Sequence, residues 1–160
     1  MNTQDFKNAM AYLASAVSVV TTQGPLGRFG LTASAVCSVT DSPPSLLVCI
    51  NQSSNSHAQF IQNQVLAVNV LPADNEVISN AFASKLSAEE RFAMAEWDQL
   101  KTGAPILKKA LVSFDCTVDH VQPVGSHDIF ICKIVAIRQN TPSNALVYFD
   151  RRYHHIGSEV

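Results

Sequence analysis

The residue types with most chemical meaning lie in Gly30-Leu31-Thr32-Ala33-Ser34-Ala35-Val36-Cys37-Ser38-Val39-Thr40. The run is crowded with small hydroxyl and methyl side chains, where a strand that only filled a core would carry bulkier ones. After Asp41-Ser42-Pro43-Pro44 comes a second β-type run, Ser45-Leu46-Leu47-Val48-Cys49-Ile50-Asn51. Small side chains let a flat ligand approach the main chain, so that backbone N–H and C=O groups bond its edge. That favours a planar, polar-edged ligand, with flavin the leading candidate. Thr32, Ala33, Ser34, Ala35, Val36, Cys37 and Ser38 are the residues expected to line it. The competing reading is a Ser/Thr-rich strand facing solvent, and the mixture of apolar and small residues favours binding over it.

Other chemistries find little support. Gly24, Gly27 and Gly30 suggest a phosphate loop, but their spacing is wrong and a strand follows where a dinucleotide fingerprint needs a helix. There is no Gly-x-Ser-x-Gly elbow for a nucleophilic serine. The five histidines include no His-x-x-x-His pair, and the adjacent His154 and His155 would point opposite ways on a strand, so no metal site is expected. Cys37, Cys49, Cys116 and Cys132 form no Cys-x-x-Cys pair. Each sits in an apolar β-type run, as a small buried hydrophobe would, and a reducing cytoplasm fits them best.

The elements that must position these residues fit in one domain spanning residues 1–160. Hydrophobic residues make up 47% and charged residues 15%, a low charge content that leaves apolar surface for a subunit interface. The formal net charge is −2 and no basic run exceeds two residues, so nucleic acid is a poor candidate partner. Ala14-Ser15-Ala16 imitates a signal-peptide cleavage site, but Asp5 stands in the would-be basic region. Phe6, Met10, Leu13 and Val17 share one helical face, so an amphipathic helix is the better reading. No apolar stretch is long enough to span a membrane.

A first helix is expected from about Thr3 to Ser15. Strands follow at Val17–Thr22, Phe29–Val39 (bent at its small residues), Ser45–Asn51, Val65–Leu71, Leu111–His120, Ile129–Arg138 and Ala145–Phe149. Short helices are expected at His57–Gln62 and Asp74–Phe82, and another opens at the capping box Ser87-Ala88-Glu89-Glu90. Trp97 to Ile106 reads as irregular, and Val121–Gly125 as a link. Closely spaced strands with few helical crossovers argue a mainly β fold with short helices, a closed or split antiparallel barrel.

Taken together, these runs resemble the short-chain flavin reductases, the reductase components of two-component flavin-dependent monooxygenases. The resemblance extends from about Phe6 to His154. It rests on Thr32–Asp41, Pro43–Asn51, Ala110–Cys116, Gly125-Ser126-His127-Asp128 and Tyr148–His154. Within the family the chain is most similar to the reductases serving pyrimidine-ring opening in uracil catabolism and 4-hydroxyphenylacetate hydroxylation. The neighbourhoods of Asp128 and Phe149-Asp150 favour the pyrimidine pathway. The resemblance implies an FMN-binding split β-barrel of Greek-key antiparallel type that forms a homodimer. It also implies hydride transfer from NADH, or NADPH, to free FMN or FAD, and release of reduced flavin to a separate monooxygenase. Such transfer needs no protein nucleophile, so the absence of a triad fits it. The alternative is a non-catalytic flavin-binding or electron-storage protein of the same fold.

The remaining site residues take their roles against this background. Asn51, Ser53 and Ser54 precede a helix start whose N–H groups suit a phosphate, or Ser54 or Ser56 merely caps that helix. The resemblance decides for flavin phosphate. Lys85 is placed either to add charge there or to stand in solvent. Arg91-Phe92 would cover the open face of the flavin, with a core role for Phe92 as the rival reading. His127 follows a turn where the family usually carries Gly-Asp-His. Here Ser126 replaces the carboxylate and cannot favour a charged imidazole as an acid would. His127 is assigned to nicotinamide together with Arg152, Tyr153 and His154. In that set Tyr153 would stack on the ring and Arg152 meet the dinucleotide phosphates.

Overall fold

The computed structural model describes residues 1–157. Helix α1 (Thr3–Met10) leads to β1 (Ser15–Ala16), β2 (Ser18–Gly24), β3 (Gly27–Ala33), β4 (Val36–Asp41) and β5 (Pro44–Asn51). Then come α2 (His57–Asn63), β6 (Val65–Val70), a 3-10 turn (Ala73–Asn75), α3 (Glu76–Ala83) and α4 (Ala88–Ala93). The chain continues through β7 (Trp97–Asp98), β8 (Ile106–Leu107), β9 (Val112–Val124), β10 (His127–Gln139), β11 (Ala145–Phe149) and β12 (Arg152–Ile156). None of the described helices is long and apolar enough to cross a membrane.

Seven strands form one antiparallel sheet in the order β3-β2-β6-β9-β10-β5-β4. Its two edges, β3 and β4, are consecutive in the chain and are joined only by Ser34 and Ala35. Sheet twist, increased by bulges in the β9–β10 ladder, curls the sheet until β3 comes against β5 beside the β4 edge. No ladder joins them, so the barrel is split along that seam. Val20, Val48, Phe60, Leu66 and Phe130 fill its interior. A second core, with Val19, Leu71, Phe82, Phe92 and Leu146, packs the outer face of the sheet beneath α3 and α4.

Several boundaries differ from those read along the sequence. Helix α1 stops at Met10 instead of Ser15. Its capping box (Asn2 with Asp5) fixes the start, and the chain must then extend to pair Ser15 and Ala16 with β11. The long run Phe29–Val39 is two strands, because its small residues turn the corner of the barrel. Val121–Val124 belongs to β9, and the hairpin turn to β10 is Gly125-Ser126. Gly125 has φ of 56°, a conformation glycine adopts without strain.

Arg152, Tyr153 and His154 do not follow the last strand but form it. They pair with Phe149, Tyr148 and Val147 through a turn in which Asp150 and Arg151 both have positive φ. The stretch from Trp97 to Ile106 is pinned by buried polar groups. Asp115 accepts from the N–H groups of Lys101 (2.7 Å) and Thr102 (2.9 Å), and Asn69 Oδ1 accepts from Leu107 N–H (2.9 Å). Of the cysteines, Cys116 and Cys132 are buried, Cys49 is half-buried and Cys37 is exposed. Cys37 departs from the expected burial because β4 is an edge strand with its outer face in solvent.

Candidate functional site

The seam of the split barrel opens as a cleft of about 520 Å³. One wall is the end of β3 and the corner after it: Leu31, Thr32, Ala33, Ser34 and Ala35. The facing wall is the end of β5 (Cys49, Ile50, Asn51), the loop Ser53–Ser56, and His127 at the start of β10. Phe82, Ala83 and Ser84 from the end of α3, with Arg91 from α4, complete it.

Small residues at the corner expose the main chain, and that backbone also holds the seam. Cys49 N–H donates to Ala35 C=O (3.0 Å) and Val36 N–H to Ser34 C=O (3.0 Å). The Thr32 hydroxyl is not free, since it donates to Ser79 C=O at 2.6 Å and so ties β3 to α3. Gly30 sits behind this wall. A Cβ there would lie 2.9 Å from the Phe82 ring and 3.0 Å from Val20 C=O, so only glycine fits without a shift.

The loop after β5 is organised by Asn51. Its side-chain oxygen accepts from Ser53 N–H (2.9 Å) and from the Ser53 hydroxyl (2.8 Å), while its carbonyl accepts from Ser54 N–H (3.0 Å). The N–H groups of Ser53 and Ser54, expected to be open to a phosphate, are therefore already used. The loop lines the cleft with Ser53, Ser54, Asn55 and Ser56; the Ser53 hydroxyl is spent on Asn51 and that of Ser56 on Gly30 C=O (3.4 Å), so the Ser54 hydroxyl keeps its proton for a ligand.

Arg91 donates from Nη1 to Gly30 C=O (2.9 Å) and from Nη2 to Ser84 C=O, while its buried Nε has no partner. Among the described residues no carboxylate pairs with it. Burial lowers its pKa, yet guanidinium remains charged across the physiological range. The cleft thus holds a fixed cation without a protein counter-ion. His127 is exposed at the mouth, opposite Asn51 across the β10–β5 ladder, with Nδ1 2.9 Å from the Ser126 hydroxyl.

A second cavity of about 230 Å³ shares Thr32, Ala33, Ser34 and Ala83 with the first. Its outer wall is Val17, Ser79, Tyr148 and Tyr153. The Tyr153 hydroxyl lies 2.7 Å from Ser79 Oγ and donates to Asn80 Oδ1 (3.0 Å), so the hydroxyl end of the ring is tied to α3. The two cavities together make one groove over the Thr32–Ser34 corner.

Other residues singled out in the sequence stand elsewhere. Val36, Cys37 and Ser38 lie on β4 beyond the corner, outside the lining of the cleft. Phe92 is buried between Phe82 and Trp97, with the Arg28 guanidinium over its ring; it takes the core role. Lys85, in the turn between α3 and α4, is exposed and outside the lining. Arg152 is exposed and pairs with Asp150 (3.2 Å). His154 points away from Tyr153 across the strand, toward Phe149 C=O (3.1 Å). The sequence reading missed Phe82, Ser84 and Ser56 at the cleft. It also missed a hydrogen-bonded cluster behind the loop, in which exposed Gln52 and half-buried His57 meet buried Asp128.

The donor set suits a phosphorylated planar ligand: exposed backbone for a polar edge, a hydroxyl beside a cation for an anionic tail, and a volume in the range of small-molecule sites. Comparison with known proteins agrees. The flavin reductase like domain matches residues 10–157. The FMN reductase (NADH) RutF of Pantoea ananatis is 56% identical over 157 residues, covering 98% of this chain and 83% of that protein. A candidate flavin reductase from Haemophilus somnus superposes with a TM-score of 0.96 at 55% identity, covering 98% of this chain and all of the other. The flavin reductase PheA2 superposes at 0.89 with 30% identity, over 99% of this chain and all of PheA2.

Proposed function

The chain belongs to the flavin reductase like family, and on that premise we propose that it is an NADH-dependent flavin reductase. It takes up FMN or FAD as a diffusible substrate, reduces it with NADH, and releases it to a separate flavin-dependent monooxygenase. The names of its relatives favour FMN and NADH, and the sequence resemblance favours a role in pyrimidine degradation. The observation that carries the reading is the groove at the barrel seam, where bare backbone, hydroxyls and the unpaired Arg91 cation meet.

Flavin, when bound, supplies the two-electron acceptor, chemistry that asks for no nucleophile from the protein. The residues of this chain supply orientation and electrostatics. Ala33, Ser34 and Ala35 present their main chain to the ring edge. The Ser54 hydroxyl and Arg91 hold the phosphate end. Tyr153 closes the adjoining cavity, which takes the nicotinamide, and His127 stands at the mouth of the first cleft. Holding both partners over one corner removes the entropy of their encounter, the main contribution such a protein makes to rate.

The homodimer belongs to the same proposal. Phe6, Met10 and Leu13 are 50%, 45% and 61% exposed, an apolar face too large to leave in water at the N-terminus. With Tyr148 it lines a groove of about 630 Å³ that continues to Ser34 and Ala35 at the cleft. A second copy laid on this face would border the flavin site.

The deciding experiment follows NADH consumption by purified protein with and without FMN, FAD and riboflavin. Turnover that requires free flavin and scales with it supports the reductase. Tight flavin binding without turnover would replace it with a storage protein of the same fold.

A further inference from the structure

Asp128 is the one buried carboxylate next to the cleft that the proposed reaction leaves without a task. It follows His127 on β10, so its side chain points inward, to the opposite face from the cleft mouth. Its side chain is 7% exposed, and both carboxylate oxygens are engaged. Gln52 Nε2 donates to Oδ1 at 2.8 Å, and His57 Nε2 lies 2.6 Å from Oδ2. Gln52 and His57 are the residues that bracket Ser53–Ser56, the hydroxyl-bearing wall of the cleft. Gln52 is further fixed by its N–H to Ser126 C=O (3.0 Å), and the His57 ring stands edge-on to Phe130 in the barrel core.

We infer that Asp128 is a positioning residue, whose carboxylate clips both ends of the Ser53–Ser56 loop so that the Ser54 hydroxyl is preset for a flavin phosphate. The inference rests on the flavin reading above. A loop of small polar residues has no apolar anchor of its own and is ordered at a cost in chain entropy. One buried carboxylate with two donors meets that cost before the ligand arrives, and charge-assisted bonds are strong enough to do so. The Gln52 hydrogen bond, with a further contribution from His57, keeps the Asp128 carboxyl below its ordinary value, so the clip is anionic at neutral pH. The ring wall of the cleft, Thr32–Ala35, is held by Ser79 of α3 and Cys49 of β5, neither of which bonds to the clip.

This separation gives the test. Flavin binding is measured by fluorescence quenching for FMN and for riboflavin, which has the ring but no phosphate. Asp128→Ala removes the acceptor shared by Gln52 and His57. It should weaken FMN binding by about tenfold or more while riboflavin binding stays as in the parent. Gln52→Glu combined with Asp128→Asn re-forms the pair with donor and acceptor exchanged and should recover FMN affinity. Should Asp128→Ala fail to fold, His57→Ala against His57→Gln carries the same comparison, since glutamine still donates to Asp128. Steady-state kinetics should show the loss in KM for FMN with kcat retained. Equal losses for FMN and riboflavin, or unchanged FMN affinity in the single variants, would overturn the clip. If the parent bound neither flavin, the functional reading itself would fail.

Discussion

Arg91 carries the electrostatic argument. Its guanidinium is braced by Gly30 and Ser84 carbonyls and faces no carboxylate, so an anionic ligand group is its natural complement. Arg91→Met should lower FMN affinity by about tenfold or more, and Arg91→Lys should recover only part, since an ammonium cannot brace both carbonyls. Fluorescence titration checks both. His127 lies at the mouth with its side chain hydrogen-bonded to Ser126, so His127→Ala should raise the KM for NADH more than the Kd for FMN. Loss of flavin affinity alone would remove it from the nicotinamide site. Asp128 also makes stability pH-dependent. Its folded pKa is lowered, so the folded state binds this proton less tightly than the unfolded chain does. The stabilisation is complete above the ordinary carboxylate pKa, about 4, and is lost as pH falls through the lower folded value. Acid titration followed by circular dichroism should show a shallower stability decline below that range in Asp128→Asn than in the parent. Of these residues, His127 and Arg91 were visible in the sequence. The partners of Asp128 were not, because Gln52 and Asp128 are 76 positions apart and meet only across the β5–β10 ladder.

Among the elements, α4 shows local sequence and local structure agreeing. Glu90 N–H donates to Ser87 Oγ (3.2 Å) and Ser87 N–H to Glu90 Oε2 (2.8 Å), the capping box legible in Ser87-Ala88-Glu89-Glu90. A six-residue helix has little stability of its own, and this one holds Arg91 over the cleft and Phe92 in the core. Ser87→Ala should cost about 1 kcal/mol in thermal unfolding. It should also weaken flavin binding modestly through Arg91. Where the elements departed from expectation, a tertiary partner decided. Ser15 and Ala16 left the helical pattern because β11 offers a ladder there, and Arg152–Ile156 became a strand on the other side of β11. Neither segment carries a strong β pattern, and both are strands because their backbone groups find partners.

For the whole molecule, the main consequence is that the site lies where the sheet fails to close. An open seam leaves backbone and small residues accessible between β3 and β5, while the remainder of the barrel interior is packed with Val, Leu, Ile and Phe. The apolar face of α1 beside that seam leads to the expectation of a dimer in solution. Leu13→Glu should convert it to a monomer by light scattering, with reduced flavin affinity because the groove from α1 reaches Ser34 and Ala35. A monomeric parent would remove the subunit interface from the proposal. The sequence by itself determined the class of fold and the family. Closely spaced β runs, Pro- and Gly-marked turns and the small-residue corner are local patterns, and local patterns are written in consecutive residues. Only the tertiary structure decided which of Thr32–Ser38 face the cleft, that Phe92 is core and Lys85 is not lining, and that Gln52, His57 and Asp128 form a cluster. Those facts depend on the curl of the sheet and on the register of strands far apart in the chain, and a one-residue change of register would turn each side chain to the other face.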